Sequence, residues 1–199
     1  MRVIAGQYRS RRLQTLRGTA LRPSSDRLRE TLFNILGSEI EGAIFVDLFA
    51  GSGAVGIEAL SRGAHASIFV EKHRAGAALI ARNLTSLGIA IGKDIAARKT
   101  FGGTAEILCM DAMDALERMA TGGWRADFVF ADPPYANRDA YEEVLKFLGE
   151  SELLTRGGRL ILEHRRTHEL PMAAGHLERK RIVEQGDTAL TFYAPMFAA

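Results

Sequence analysis

The sequence predicts an α/β fold in which helices cover both faces of a mostly parallel sheet. Short apolar segments alternate along most of the chain with segments whose apolar residues recur at helical spacing. The strand-like segments are nearly continuous apolar runs, which is typical of a parallel sheet buried on both faces. Near the end, residues 185–188 read Gln-Gly-Asp-Thr between two strand-like segments. This turn sequence indicates a hairpin, so an antiparallel pair is expected to close the sheet.

The first elements are predicted to be a small hairpin and a helix. Residues 1–5 and 11–15 have strand-like composition on either side of a turn. Residues 26–36 carry leucine and isoleucine at helical spacing, and Gly37 follows where a helix commonly ends. A hairpin followed by a helix is therefore expected ahead of the sheet.

The alternating region follows in order. The predicted strands are residues 44–49, 66–70, 106–110, 126–131 and 159–163. The predicted helices are residues 55–62, 73–87, 111–120 and 139–148. The strands of the closing hairpin are residues 177–184 and 189–193. Residues 89–103 mix glycine, alanine and basic residues without periodicity, and a loop insertion is expected there.

Length and composition indicate a single globular domain and exclude several other classes of protein. A chain of 199 residues, 47% of them hydrophobic, fits one globular domain with a small appendage. No apolar run approaches the roughly 20 residues that span a bilayer, and the first residues lack the apolar stretch of a signal peptide. We therefore expect a soluble cytoplasmic protein. Cys109 is the only cysteine, which excludes an intrachain disulfide, and no metal site is expected.

Charge is concentrated at the start of the chain. Residues 1–25 contain no acidic residue and six arginines, which are Arg2, Arg9, Arg11, Arg12, Arg17 and Arg22. The rest of the chain holds 20 basic and 24 acidic side chains. A basic arm on a mildly acidic body predicts a polyanionic partner such as nucleic acid.

A glycine motif follows the first strand of the alternating region. Residues 51–56 match G-x-G-x-x-G, and Glu71 follows 20 residues after Gly51, at the end of the next strand. Glycines allow a tight turn and a close approach of the backbone to a ligand, and a carboxylate at the second strand end can accept ribose hydroxyls. Taken alone, this pattern fits NAD, FAD or S-adenosylmethionine.

Two carboxylates favour S-adenosylmethionine over a dinucleotide. Asp47 precedes Gly51 by four residues, where it would attract an ammonium group and repel a pyrophosphate. Asp111 closes the third strand, where its carboxylate can accept from an adenine amino group. Asp111 can equally cap the helix that follows, and the two roles are compatible.

The tetrapeptide Asp132-Pro133-Pro134-Tyr135 directly follows the predicted strand of residues 126–131. Two prolines fix the backbone and remove two donors, which leaves carbonyls that no neighbouring N–H is expected to take. The Asp132 carboxylate and the Pro133 carbonyl could accept the two N–H bonds of an amino group on an aromatic base, and Tyr135 could stack on its ring. Positioning such a nitrogen against a methyl donor, at about 3–3.5 Å, would supply most of the acceleration.

These motifs together resemble the RsmD family of bacterial methyltransferases, which modify a guanine N2 of 16S ribosomal RNA. The resemblance rests on residues 2–6, 22–34, 47–53 and 132–135 and runs to about residue 195. It implies a Rossmann-like, S-adenosylmethionine-dependent methyltransferase fold with a seven-stranded sheet and an N-terminal β-hairpin. It divides the chain into a basic arm of residues 1–21 and a methyltransferase domain of residues 22–199. The implied partner is 16S rRNA in the small subunit or its assembly intermediate, bound by a monomer.

The resemblance also assigns residues. The implied S-adenosylmethionine contacts are Asp47, Phe49, Gly51, Ser52, Gly53, Glu71, Lys72, Asp111 and Ala112. The implied catalytic residues are Asp132, Pro133, Pro134 and Tyr135. The RNA contacts expected from the basic arm and from the resemblance together are Arg2, Arg9, Arg11, Arg12, Arg17, Arg22 and Arg27.

Three alternatives remain open at this point. Asp-Pro-Pro-Tyr also suits adenine N6 in DNA or RNA, so an adenine-N6 methyltransferase is the main alternative. A non-enzymatic ribosome-assembly factor on the same scaffold is a second. A nicotinamide oxidoreductase, to which the glycine motif alone would point, is a third.

Overall fold

The computed structural model describes residues 1–15, 26–92, 103–134 and 137–196. The chain forms two compact units, residues 1–111 and 112–199. The predicted boundary between residues 21 and 22 lies outside the described residues. The α/β fold expected from the sequence is confirmed.

The first unit alternates helices and parallel strands. Its elements are α1 (Asp26–Leu36), a 3₁₀ helix (Gly37–Ile40), β1 (Ile44–Asp47), α2 (Ala54–Ser61), β2 (Ala66–Val70), α3 (Arg74–Ser86), β3 (Ala90–Ile91) and β4 (Thr104–Leu108). The strands lie in the order β3-β4-β2-β1, and every pair among them is parallel. Asp47 pairs with Phe69, and Val70 pairs with Leu108. The three longer strands therefore end at one edge of the sheet.

The second unit ends in antiparallel strands. Its elements are α4 (Ala112–Thr121), β5 (Ala126–Ala131), α5 (Asp139–Glu150), β6 (Leu154–Arg165), β7 (Ala173–Ala174), β8 (Leu177–Gln185) and β9 (Thr188–Pro195). The strand order is β5-β6-β9-β8-β7. Only β5 and β6 are parallel, whereas β9, β8 and β7 follow antiparallel. The predicted closing hairpin is confirmed.

Most predicted elements lie within two residues of their observed bounds, and the exceptions have local causes. The short strand β3 lies inside the predicted loop of residues 89–103, where it pairs with β4 at the edge of the first unit. The strand β6 extends over 12 residues because its amino-terminal half continues through Gly157 and Gly158, which broke the apolar pattern in the sequence.

The predicted N-terminal hairpin has the expected path but no regular strands. A single antiparallel bridge joins Arg2 and Arg12, with further backbone hydrogen bonds such as Val3 N to Arg11 O at 3.0 Å. The N–H of Ala5, the next after that of Val3 to face the returning segment, is donated instead to the side chain of Glu58, which ends the ladder. The prediction of two strands was wrong for this reason.

Apolar side chains fill the interior of each unit. The central strands β1, β2 and β5 are almost completely buried, as their continuous apolar sequences require. Phe45, Phe69 and Phe130 are among the largest fully buried side chains. Among the described residues, no helix combines the length and apolarity that a membrane crossing needs.

Candidate nucleotide-binding and base-binding sites

The glycine loop, residues 50–53, connects β1 to α2 in the first unit. Its first N–H, from Ala50, is donated to the Val70 carbonyl at 2.9 Å, which ties the loop to the end of β2. Gly53 has φ +79°, in the left-handed region that favours glycine, and it precedes the first turn of α2. The loop therefore presents its backbone at the carboxyl edge of parallel strands, the usual ligand-binding edge of such sheets.

One carboxylate holds this loop, and a second holds the first turn of the helix that follows it. The Glu71 Oε2 atom accepts from Gly51 N at 2.9 Å, and its Oε1 atom accepts from His73 N at 2.8 Å. The buried Asp47 accepts from Gly56 N at 2.9 Å in the first turn of α2. Each carboxylate oxygen has two lone pairs, so Glu71 retains acceptor capacity for a ligand. The structure thus brings Gly51 and Glu71 together as the sequence predicts.

A second pair of predicted residues meets at the same strand ends. The Lys72 Nζ atom lies 3.0 Å from Asp111 Oδ2, which joins the residues that follow β2 and β4. Both side chains are partly exposed, so the pair contributes little to stability. Of the remaining predicted cofactor residues, Phe49 is half-buried and Ala112 is buried as the first residue of α4.

The edge formed by these residues has the properties of a site for a cationic nucleoside. A Cβ atom built on Gly51 would meet no atom within 4 Å, so open space adjoins the loop backbone. Three carboxylates, Asp47, Glu71 and Asp111, lie in or follow the strand ends on this edge. This charge would repel a pyrophosphate and attract an ammonium or sulfonium group. S-adenosylmethionine carries both of those cations and a ribose, so the residues present fit it.

The Asp-Pro-Pro segment, residues 132–134, directly follows β5 in the second unit. Asp132 is half-buried, Pro133 is buried and Pro134 is exposed. The Pro134 carbonyl accepts from Asn137 N at 2.7 Å, so the expectation that no neighbouring N–H takes these carbonyls was wrong for Pro134. Tyr135 lies outside the described residues.

Tyr141 is a functional candidate that the sequence analysis missed. It is buried on α5, and its hydroxyl lies 3.2 Å from the Glu163 carbonyl and 3.5 Å from the Pro133 carbonyl. A phenol has one proton, and the shorter distance favours donation to Glu163. The Pro133 carbonyl therefore remains able to accept a hydrogen bond. The buried Tyr141 side chain lies against it and limits its movement. Tyr141 lies nine residues after Asp132, but nothing in the sequence alone predicts that its hydroxyl contacts the Pro133 and Glu163 carbonyls.

His164 packs beside Tyr141, and both of its ring nitrogens have hydrogen-bond partners. Its Nδ1 faces the Arg165 carbonyl at 2.9 Å, and its Nε2 faces the Thr191 hydroxyl at 2.7 Å. A carbonyl can only accept, so Nδ1 carries the proton and Nε2 accepts from Thr191. Burial lowers the pKa of His164 below its ordinary 6.5, and the positive charges of His168 and Arg179 act in the same direction. The ring is therefore neutral, and its role is structural.

One cavity of the second unit is unrelated to this segment. It has a volume of about 420 Å³ and is lined by residues such as Arg125, Leu154 and Met196. Arg125 precedes the amino end of β5, whereas Asp132 follows its carboxyl end. The cavity and the Asp-Pro-Pro segment thus lie at opposite ends of the strand.

A buried charge cluster, also missed by the sequence analysis, anchors the N-terminal arm. Glu58 on α2 is fully buried and accepts from the N–H groups of Ile4 at 2.8 Å and Ala5 at 3.0 Å. Arg62 donates to the same carboxylate at 2.8 Å, and the buried Arg29 of α1 lies 3.8 Å from it. Removing one partner of a buried ion pair costs roughly 3–5 kcal/mol. The arm is therefore fixed to the first unit by side chains of α1 and α2.

Ser61 extends this anchor. Its hydroxyl accepts from Tyr8 N at 2.9 Å, and its carbonyl accepts from Gln7 N at 2.7 Å. A Cβ built on Gly6 would lie 1.8 Å from the Ser61 carbonyl oxygen, so only glycine allows the arm to approach this closely.

The predicted RNA contacts fall into two groups. Five are exposed in the structure, namely Arg2, Arg9, Arg11, Arg12 and Arg27. The other two, Arg17 and Arg22, lie outside the described residues. Arg11 also donates to the Ser86 carbonyl at the end of α3 at 3.1 Å, which gives its guanidinium a fixed position.

Comparison with known proteins finds similarity along nearly the whole chain. The family described as Conserved hypothetical protein 95 matches residues 1–194. The chain is 34% identical over 193 residues to Ribosomal RNA small subunit methyltransferase D of Escherichia coli, covering 97% of this chain and 89% of that protein. It is also 34% identical to the protein of the same name from Haemophilus influenzae, covering 82% of this chain and 78% of the relative.

Solved structures show the same fold. The Escherichia coli protein YhhF superimposes with a TM-score of 0.80 at 33% identity, covering 98% of this chain and 97% of that one. A Thermus thermophilus protein superimposes with a TM-score of 0.78 at 27% identity, covering 98% of this chain and 99% of that one.

Proposed function

The chain belongs to the Conserved hypothetical protein 95 family, the RsmD family expected from its sequence, and from that premise we propose that it methylates the exocyclic N2 of a guanine in 16S ribosomal RNA. The observation that carries this proposal is the near-complete alignment with relatives named ribosomal RNA small subunit methyltransferases. Both sets of predicted functional residues fall within the matched range.

The first unit supplies the cofactor residues in this proposal. When bound, S-adenosylmethionine supplies an electrophilic methyl group on a sulfonium. Glu71 is assigned to the ribose hydroxyls, Asp47 to the α-ammonium group and Asp111 to the adenine amino group. Phe49, Ser52 and Ala112 would line the same site, with Gly51 and Gly53 giving close backbone approach and Lys72 fixing Asp111 through their ion pair. The carboxylates disfavour the nicotinamide alternative, because a dinucleotide pyrophosphate would be repelled.

The second unit supplies the base-binding residues. A guanine amino nitrogen is a poor nucleophile because its lone pair is delocalised into the ring. The Asp132 carboxylate and the Pro133 carbonyl would accept its two N–H bonds and favour a more tetrahedral nitrogen. Asp132 or water would then take the proton that the methylated nitrogen releases. Pro134 would keep this geometry rigid, and Tyr135 would stack on the base.

The basic arm is assigned to the RNA. Exposed arginines at residues 2, 9, 11, 12 and 27 offer guanidinium groups to phosphates, with Arg17 and Arg22 expected to join them. The proposed substrate form is 16S rRNA in the small subunit or an assembly intermediate, bound by a monomer. The proposal also expects the protein in the cytoplasm, because small subunits assemble there.

Two other functions fit less well. Adenine-N6 methylation of DNA or RNA uses the same type of motif, but the relatives named above are ribosomal RNA methyltransferases. A non-enzymatic assembly factor would not need Asp47, Glu71 and Asp132 together on this scaffold.

The test is a transfer assay with radiolabelled S-adenosylmethionine and three substrates: 30S particles, free 16S rRNA and duplex DNA, each lacking the modification. We expect label in the small subunit or its RNA, and mass mapping should locate it on a guanine N2. Label only in DNA would refute the proposal, and label on an adenine would establish the N6 alternative. Saturable cofactor binding without any transfer would favour the assembly factor.

A further inference from the structure

Asn83 is a buried polar side chain on α3 that none of the assignments above uses. It is 1% exposed, and it lies between the N-terminal arm and the glycine loop, all within the first unit. Its Oδ1 atom accepts from Gln14 N at 2.9 Å. Its Nδ2 group donates to Gln14 O at 3.2 Å and to Ser52 O at 3.0 Å. One amide therefore binds the backbone of both segments at once.

The rest of the arm has few other links to the glycine loop. The Ser52 hydroxyl lies 3.7 Å from Met1 Sδ, which is a weak contact. Glu58 and Ser61, by contrast, anchor the arm to the body of α2 rather than to the loop. Asn83 is thus the strongest connection between loop and arm among the residues that the structure describes.

The glycine loop is the part of this network that a ligand would restrain. In the Ser52 peptide, the Gly53 N–H is donated to Ala50 O at 2.7 Å and the carbonyl accepts from Asn83, so a ligand bound against this peptide would further restrain a group that Asn83 contacts directly. Restraining that peptide fixes the Asn83 amide, and a fixed amide holds both backbone groups of Gln14. A ligand that rigidifies one end of such a connection lowers the entropic cost of ordering the other end.

We propose that Asn83 is a positioning residue that couples occupancy of the cofactor site to the order of the RNA-binding arm. The proposal rests on the function proposed above and adds a property to it, namely that cofactor and RNA bind cooperatively. Binding linkage is reciprocal, so RNA held by the arm should tighten cofactor binding by the same factor. Such coupling would favour RNA binding by the loaded enzyme.

Hydrogen exchange of the arm, with and without S-adenosylhomocysteine, tests this without any methyl transfer. In the wild-type protein, saturating S-adenosylhomocysteine should slow exchange of the arm amides, Gln14 N–H above all, by about fivefold or more. Asn83→Asp has nearly the same shape but can donate to neither Gln14 O nor Ser52 O, so the slowing should fall below about twofold. Thr85→Ala, on the exposed face of the same helix, is the matched control and should behave like the wild type.

The second test compares the affinity for RNA with and without S-adenosylhomocysteine, in the wild type and in the Asn83 variant. Filter binding of transcribed 16S rRNA should be at least about fivefold tighter with S-adenosylhomocysteine in the wild type, and nearly independent of it in Asn83→Asp. Calorimetry should show cofactor affinity in the variant within about threefold of the wild type. Asn83→Leu replaces Asn83→Asp if circular dichroism shows that the latter is unfolded.

The outcomes separate the two proposals. Wild-type arm amides that do not respond to saturating S-adenosylhomocysteine overturn the coupling, whichever variant folds. Equal coupling in the wild type and the Asn83 variants overturns the role of Asn83. Coupling without RNA methylation overturns the proposed function alone, and failure to bind S-adenosylhomocysteine overturns both.

Discussion

The glycine loop and the Asp-Pro-Pro segment both follow the carboxyl end of a buried parallel strand, but they are held in place by different means. The loop has a permissive sequence, and it is fixed by side chains far along the chain, with Glu71 bonded to Gly51 and Asn83 bonded to Ser52. The backbone of the segment is set locally by two proline rings, and the Tyr141 hydroxyl and the Asn137 N–H lie against its carbonyls. Substitutions around the loop should therefore change its shape and lower the stability of the fold. Substitutions in the segment should instead lower the rate of methyl transfer, with little effect on stability.

Asp132→Asn should separate chemistry from folding most clearly. The amide keeps the shape of the side chain but has lost half of its acceptor capacity and cannot take a proton. We expect the rate of methyl transfer to fall by about 10²–10⁴-fold, the range typical of a lost general base. Cofactor affinity by calorimetry and the unfolding midpoint should stay near wild-type values. A variant with wild-type turnover would show that Asp132 is not catalytic.

Glu71→Gln should show the opposite behaviour at the glycine loop. The carboxylate accepts two N–H bonds, and an amide in its place must present an NH₂ group to one of them. The hydrogen bond from Gly51 is part-buried and the one from His73 is exposed, so losing one of them should lower the free energy of unfolding by about 0.5–1.5 kcal/mol in urea. Cofactor affinity should fall by about tenfold or more, because the ribose loses an acceptor as well.

Glu117→Gln on the exposed face of α4 is the control for this change, since it alters the same charge away from the loop. Loss of cofactor affinity with unchanged stability would mean that Glu71 contacts the ligand but does not hold the loop.

Gly53→Ala and Pro134→Ala compare how much stability depends on the backbone conformation of the glycine loop and of the Asp-Pro-Pro segment. An alanine at Gly53 must adopt φ +79° and place its Cβ 3.2 Å from Ile80, which should cost about 1–2 kcal/mol or more. An alanine at the exposed Pro134 only gives the unfolded chain more freedom, at about 0.4–1 kcal/mol. Both values can be read from urea unfolding curves. Equal losses at the two positions would contradict the distinction between a loop held by distant residues and a segment held by its own prolines.

The same distinction explains what could be predicted from the sequence. The Asp-Pro-Pro segment is encoded by adjacent residues, and α1, β2 and β5 have continuous patterns, so these were recognised with their correct bounds. Glu71 was found because its spacing from Gly51 follows from the strand–helix–strand repeat. Glu58, Asn83 and Tyr141 were missed because their partners lie 54, 69 and 22 residues away, and no local pattern encodes those contacts. The arm lacked regular strands for the same reason, since Glu58 takes an N–H group that a ladder would need.

The smallest expected effect is a pH dependence of the free energy of unfolding that comes from His164, which packs next to the Asp-Pro-Pro segment through Tyr141. His164 packs against Tyr141, whose hydroxyl lies beside the Pro133 carbonyl, and burial lowers the pKa of His164 below 6.5. Between the lowered pKa and 6.5, the unfolded chain binds more protons at this imidazole than the folded chain does. The free energy of unfolding should therefore rise with pH across that window and level off above it. Trp124, the only tryptophan, lies in this unit and can report urea unfolding by fluorescence from about pH 5 to 8. His164→Asn should remove this contribution to the slope, and an unchanged slope in that variant would show that the histidine does not link the segment's support to pH.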